Sequence, residues 1–201
     1  MAFPRLVALA TKNPGKIREI LRICSAWPVE WETADGKGWP DVEETGATYG
    51  ENAALKARAV AEFLGIPAVA DDSGIEVDAL EGGPGVHSAR YAGEHPSDRE
   101  NLDLLLRRLA DVPEEARTAR YRCVALCAWP NGTQAQAEAV CEGRITLEPR
   151  GSGGFGYDPA FVPDGHTRTM AELAPGEKDA ISHRGKALRA LGDLLRGGPG
   201  G

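Results

Sequence analysis

The sequence predicts an α/β protein with a mixed β-sheet flanked by helices, and three observations carry that prediction. Strand-like apolar runs alternate with helix-period segments through the first half of the chain, a pattern that favours parallel strands joined by crossovers. In the second half, two strand-like stretches, Arg120 to Trp129 and Gln134 to Cys141, flank the turn residues Pro130, Asn131 and Gly132 and read as a hairpin. The chain has 201 residues, 42% hydrophobic and 26% charged, which suits one soluble globular domain with a sizeable core.

Leu6 to Ala10 is a buried strand that ends at Thr11-Lys12-Asn13-Pro14-Gly15-Lys16. A helix follows, with Asn13 as its cap, Pro14 in its first turn and Ile17, Ile20, Leu21 and Cys24 on one face. Trp27 to Gly46 has no period and predicts an irregular excursion carrying Glu43 and Glu44. Thr48 and Glu51 form a capping box for a second helix, which buries Tyr49, Ala53, Ala57, Val60 and Leu64 and stops at Gly65. Ile66 to Ala70 is a short strand that acid interrupts at Asp71-Asp72-Ser73-Gly74, before Ile75 to Ala79 resumes the pattern.

Glu81 to Gly93 reads as a long loop, and Ser97 with Glu100 opens a third helix that turns Leu102, Leu105, Leu106 and Leu109 inward. Thr169 and Glu172 mark a short helix, and a last helix starts near Ser182 with Leu188, Leu191 and Leu195 inward. Residues 1–196 are expected to form a single domain, and residues 197–201 a disordered tail.

Several classes of function are disfavoured. No apolar run has the length of a membrane span and the N-terminus lacks signal-peptide features, so a cytoplasmic location is expected. The net charge of −7 argues against long nucleic acid as a partner. Cys24, Cys123, Cys127 and Cys141 lack C-x-x-C spacing and read as buried free thiols. His87, His95 and His166 have no ligand-like spacing. Gly151, Gly153 and Gly156 match G-x-G-x-x-G, yet Tyr157-Asp158-Pro159-Ala160-Phe161-Val162-Pro163 cannot begin the helix that a dinucleotide loop requires. What remains is a turn that gathers Phe155, Tyr157 and Asp158, two rings to stack on a base and one acceptor.

Three further places offer chemistry. Thr11, Asn13 and Lys16, where a strand hands over to a helix, suit a polyphosphate. Asp71 and Asp72 point to opposite faces if strand geometry persists, so one of them can face a site and bind Mg²⁺ or take a proton from water, with Glu43 or Glu44 as a second oxygen ligand. Ser182-His183-Arg184 joins free N–H groups to a cation, with Lys178 just upstream. Taken singly, each has a plainer reading: a gap-filling aromatic loop, an N-cap with a solvated lysine, an Asx turn, a capping histidine.

Together they carry a resemblance. The motifs ATKNPGKIREI (10–20), EETG (43–46), ENAALKA (51–57), ADDSGIEVDAL (70–80), PGVHSARYAG (84–93), GGFGYDPAFVP (153–163) and ISHRGKAL (181–188) resemble, in order and nearly end to end, the inosine triphosphate pyrophosphatase, or Ham1-like, family. The segment from Trp27 to Pro40 matches no motif.

The resemblance implies a twisted mixed sheet flanked by helices, with a nucleotide-binding cleft between two lobes. It implies a homodimer that hydrolyses ITP, dITP and XTP to monophosphate and pyrophosphate with Mg²⁺. Thr11, Lys12, Asn13, Pro14, Gly15 and Lys16 would hold the triphosphate, with Lys16 offsetting charge on the leaving group. Asp72 would be base and metal ligand, Ser73 a substrate contact and Glu43 the other metal-binding acid, adjacent Glu44 leaving the register open. Phe155, Gly156, Tyr157, Asp158, Lys178, His183 and Arg184 would bind the nucleoside end. A donor such as Arg184 aimed at the 6-keto oxygen is left unpaired by adenine, at a cost of roughly 1–3 kcal/mol. The competing expectations are a nucleotide sensor without hydrolysis and a pyrophosphatase for modified pyrimidine triphosphates.

Overall fold

Strand β1 (Leu6–Leu9) is short and apolar, and α1 (Pro14–Ile23) starts five residues after it, where the Asn13 side chain accepts from the Lys16 N–H. The computed structural model describes residues 3–197. Within the excursion expected to be irregular lie β2 (Glu30–Glu32), paired parallel with β1, and α2 (Ala34–Lys37). Three and four residues are too few to show a period, which is why neither was read from the sequence. Helix α3 (Tyr49–Leu64) runs between the Thr48–Glu51 capping box and Gly65, whose φ of 68° ends it. Thr48→Ala removes the acceptor of the Glu51 N–H and is expected to lower stability by about 1 kcal/mol, read as a shift in the urea midpoint. An unchanged midpoint would mean that the preceding loop, not the cap, fixes the helix start.

The acids do not interrupt the next strand. β3 (Ala68–Val77) is continuous through Asp71, Asp72 and Ser73, because Lys16, Arg184 and Lys56 stand beside the two carboxylates and offset the cost of burying them. Residues Gly85–Arg90 of the expected loop form 3₁₀ turns, and α4 (Asp98–Arg108) follows from its Ser97–Glu100 capping box. Strands β4 (Thr118–Ala128) and β5 (Gln134–Ile145) neighbour one another across a turn in which the Gly132 N–H donates to the Trp129 carbonyl at 2.9 Å, with φ at Gly132 of 87°. β6 (Phe161–Pro163) precedes the Thr169–Glu172 box, which opens a single 3₁₀ turn in place of the expected helix. Helix α5 (Pro175–Ile181), not anticipated, leads into α6 (His183–Gly197). Gly197 of the expected tail closes α6, and residues 198–201 lie outside the described residues.

Among the described residues the six strands form one sheet in the order β2-β1-β3-β4-β5-β6. β1 is parallel to β2 and β3, whereas β6 is antiparallel to β5, so the sheet is mixed as predicted. The chain divides into two compact units. Unit one comprises the chain up to Asp72, Cys123–Ala139 and the chain from Arg184 onward; unit two comprises Ser73–Arg122 and Val140–His183.

Each unit has its own core. In unit one Val7, Leu9, Ile20, Val69, Leu188 and Leu191 pack together, and Trp27 lies so close to Gly192 that a Cβ there would stand 2.8 Å from the indole nitrogen. In unit two the core is built on Ile75, Leu105, Tyr121, Phe161 and Met170. All four cysteines are free and buried, as expected. No helix among the described residues is long and apolar enough to cross a membrane.

Candidate active site

The loop between β1 and α1 is organised by its own side chains. Thr11 Oγ1 accepts from the Asn13 N–H at 3.2 Å, and Asn13 Oδ1 accepts from the Lys16 N–H at 3.0 Å. Lys12 and Pro14 are exposed and Gly15 is buried; Lys12 makes an exposed ion pair with Asp41, the kind of contact that contributes little. Lys16 Nζ instead turns inward, 3.2 Å from Asp71 Oδ2 and 3.4 Å from the Asp71 carbonyl oxygen.

Strand alternation gives the two adjacent aspartates separate partners. Asp71 is buried beside Lys16 and Arg184, and Arg184 Nε and Nη2 each lie 3.1 Å from its Oδ2. Burial opposes ionisation of Asp71, but the cations Lys16, Arg184 and Lys56 outweigh it and hold the carboxyl well below its usual range. Arg184 is itself buried and its Nη1 donates to Glu19 Oε2 at 2.5 Å. The sequence aims Arg184 at a 6-keto oxygen; in the structure its Nε donates to Asp71 and its Nη1 to Glu19, with Nη2 3.1 Å from Asp71 Oδ2.

Asp72 meets α3. Its Oδ1 accepts from Lys56 Nζ at 3.1 Å and its Oδ2 from Asn52 Nδ2 at 3.3 Å, while Lys56 also reaches Glu44 Oε1 at 2.8 Å. Asn52 Oδ1 in turn accepts from the Gly46 N–H at 2.8 Å, so one buried amide ties the acidic loop to the strand. Burial raises the Asp72 pKa, and Lys56 and Lys16 only partly offset it. Burial alone would lower Lys56, but Asp72, Glu44 and Asp71 together raise it, so it stays an ammonium.

Glu43 is exposed, and Glu44 is the acid brought to Asp72 across Lys56. Asn52 and Lys56 carry no signal as individual residues, although they stand four apart, one helical turn, within the quoted ENAALKA motif. Two carboxylates within reach of one ammonium form an all-oxygen donor pair that fits a hard divalent cation, which typically completes its shell with water and substrate phosphate.

In unit two the glycine loop folds around Asp158. Gly154 has φ of 69°, and a Cβ there would run into the Asp158 carboxylate. Asp158 Oδ2 accepts from the Phe155 N–H at 2.8 Å and from Lys178 Nζ at 2.5 Å, and its Oδ1 from the Tyr121 hydroxyl at 3.3 Å. Lys178 Nζ lies 5.0 Å from the centre of the Phe155 ring, and the Gly156 N–H donates to Asp98 Oδ2 at 2.9 Å.

Tyr157 is buried and its hydroxyl donates to the Ser88 carbonyl oxygen, so Phe155 is the more accessible ring of the loop. His183 is buried and stacks on Tyr121, ring centres 4.5 Å apart and planes 8° from parallel. Ser73 is half-buried on β3. After the loop come a 3₁₀ turn, Asp158–Ala160, and then β6, so no α-helix follows the glycines, in keeping with the rejected dinucleotide reading.

Comparison with known proteins bears on the family and the fold. The Ham1 family matches residues 7–194. A dITP/XTP pyrophosphatase of Streptomyces coelicolor is 51% identical over 94% of this chain and 96% of its own. A protein of the same name from Geobacillus kaustophilus is 53% identical over 92% and 91% of the two chains. Among solved structures, a HAM1 protein from Coxiella burnetii superposes with a TM-score of 0.87 at 41% identity, covering 97% of this chain and 100% of the other.

Proposed function

We propose that this chain, which belongs to the Ham1 family, hydrolyses the noncanonical purine triphosphates ITP, dITP and XTP to the monophosphate and pyrophosphate. The observation that carries the proposal is the placement of Asp72, a buried carboxylate fixed by Asn52 and Lys56, with Glu44 across the same ammonium. The similar proteins named dITP/XTP pyrophosphatase support the substrate class, and neither a non-hydrolysing sensor nor a pyrimidine enzyme is favoured.

In this reading Asp72 takes the proton of the attacking water. Asn52 and Lys56 fix where its two oxygens point. Thr11, Lys12, Asn13, Pro14 and Gly15 cradle the triphosphate, and Lys16 offsets charge on the departing pyrophosphate. Mg²⁺, held by Asp72 and an acid of the 43–44 pair, supplies Lewis-acid neutralisation of phosphate charge when bound. The placement of Glu44 supports it as that second acid. Phe155 and Gly156 receive the base with Tyr157 and Asp158 shaping the loop, Lys178, His183 and Arg184 bring donors toward the nucleoside end, and Ser73 contacts the substrate. A cytoplasmic homodimer with residues 1–196 as one domain completes the proposal.

Incubation with Mg²⁺ and ITP is expected to yield IMP and pyrophosphate, with ATP nearly untouched. Product identification by anion-exchange chromatography checks it. IDP plus phosphate would refute the position of cleavage, and equal turnover of ATP would refute the substrate class.

A further inference from the structure

Glu19 has no role in the reaction described above, yet it is an acid with a side chain only 7% exposed. It lies on α1 one turn after Lys16, next to the fully buried Ile20. A carboxylate in such a place is costly unless a cation meets it, and Arg184 does so at 2.5 Å. Following the contacts onward gives a closed circuit. Arg184 on α6 donates to Asp71 Oδ2 on β3, that oxygen stands 3.2 Å from Lys16 Nζ, and Lys16 returns the path to α1. The four formal charges alternate in sign around it and sum to zero.

One atom makes this circuit more than a brace. Asp71 Oδ2 faces both Arg184 and Lys16, with Cys123 Sγ a weak third neighbour at 3.8 Å. Two cations share one oxygen, so the hold on either depends on the other. Glu19 draws the guanidinium from its far side and limits its claim on Asp71. With that charge removed, Asp71 becomes the main counter-ion of Arg184, and the ammonium of Lys16 is displaced from its present seat.

We propose that Glu19 is a positioning residue for the pyrophosphoryl end of the substrate, setting the place of the Lys16 ammonium through Arg184 and Asp71. The proposal rests on the reading of Lys16 as a phosphate contact. It concerns where a charge is held, and Glu19 itself touches no substrate.

The two reaction products separate this role from a general loosening of the fold. Binding of pyrophosphate and of IMP, each with Mg²⁺, is measured by calorimetry on the full chain. Glu19→Gln keeps the shape and removes the charge; its Kd for pyrophosphate is expected to rise about tenfold, and that for IMP, which Arg184 meets at the nucleoside end, by no more than about threefold. Glu19→Asp keeps the charge on a shorter arm and is expected to weaken pyrophosphate binding about threefold.

Pyrophosphate affinity within twofold of wild type in both variants would overturn the proposal, as would equal weakening of both ligands. Should Glu19→Gln not fold, Glu19→Asp decides by the same comparison. A wild-type chain that binds pyrophosphate but leaves ITP intact would sink the hydrolytic reading and leave the Glu19 comparison standing, whereas one that binds no pyrophosphate would remove the Lys16 premise and the proposal with it.

Discussion

Asp72→Asn is expected to lower ITP turnover by about 10²- to 10⁴-fold, the range for loss of a positioned general base, while nucleotide binding persists. Asparagine has nearly the same shape, so it can still meet the Asn52 amide, and Lys56 keeps Glu44 as a partner at 2.8 Å. What disappears is the negative charge, and with it the ability to take a proton and one carboxylate of the pair that would hold Mg²⁺. Steady-state kinetics give kcat, and equilibrium titration with ITP gives the affinity of a variant that hardly turns over. A kcat within threefold of wild type would move the base elsewhere. Loss of binding in parallel with turnover would instead make Asp72 chiefly a determinant of ground-state affinity.

Arg184→Met is expected to lower stability by about 3–5 kcal/mol, the usual consequence of taking one partner from a buried ion pair. Methionine fills much of the arginine stem but leaves Glu19 and Asp71, both buried, with the cation between them gone. The pH dependence has a definite sign. A carboxyl held below its unfolded value contributes stability that is present above that value and is lost as pH falls through the folded one. Asp71 is such a group and Arg184 is one of its main causes, so the variant is expected to unfold at a higher pH than wild type on acidification. Urea unfolding followed by circular dichroism at pH 7 and at lower pH measures both effects. One transition for the whole chain would support a single domain, and a loss below about 1 kcal/mol would show that the ion circuit does little to hold α1, β3 and α6 together.

The parts of the fold that were legible in the sequence are those with local causes. The capping boxes at Thr48 and Ser97, the Asn13 cap, the Gly65 stop and the Asn131-Gly132 turn all satisfy backbone groups within a few residues, so their signal is written in adjacent letters. β2 and α5 were not legible. One is three residues held by pairing with β1, and the other is a seven-residue helix whose N-cap position, Ala174, offers no side-chain acceptor, the Glu177 carboxylate alone accepting from the Ala174 N–H. The continuity of β3 was hidden for a related reason: its acids look like a break until the cations from α1, α3 and α6 are set beside them.

The candidate site divides in the same way. Asp72, Lys16 and the glycine loop stood out because their residue types suggest chemistry wherever they occur. Lys56, Asn52 and Tyr121 acquire meaning only from what they touch, Asp72 for the first two and Asp158 with His183 for the third. The sequence singles out Arg184 as a donor, but its burial against Glu19 and Asp71 depends on residues 165 and 113 positions away.

The pairing of Asp71 with one set of partners and Asp72 with another makes this stretch of β3 a track with only two phases. Its start is pinned to β1, Ala68 opposite Ala8 and Val69 opposite Leu9. Adding one residue between Val69 and Asp71 would put the first acid in the place of the base and carry the second two positions along the anchor's face, and removing one would put the second acid in the place of the anchor and carry the first two positions back along the base's face. Two residues would restore the phase but carry both acids about 7 Å along the strand, beyond reach of Lys16 and Lys56. Over these few positions, then, chain length is as strict a constraint as residue identity, and any insertion or deletion must be absorbed in the loops outside.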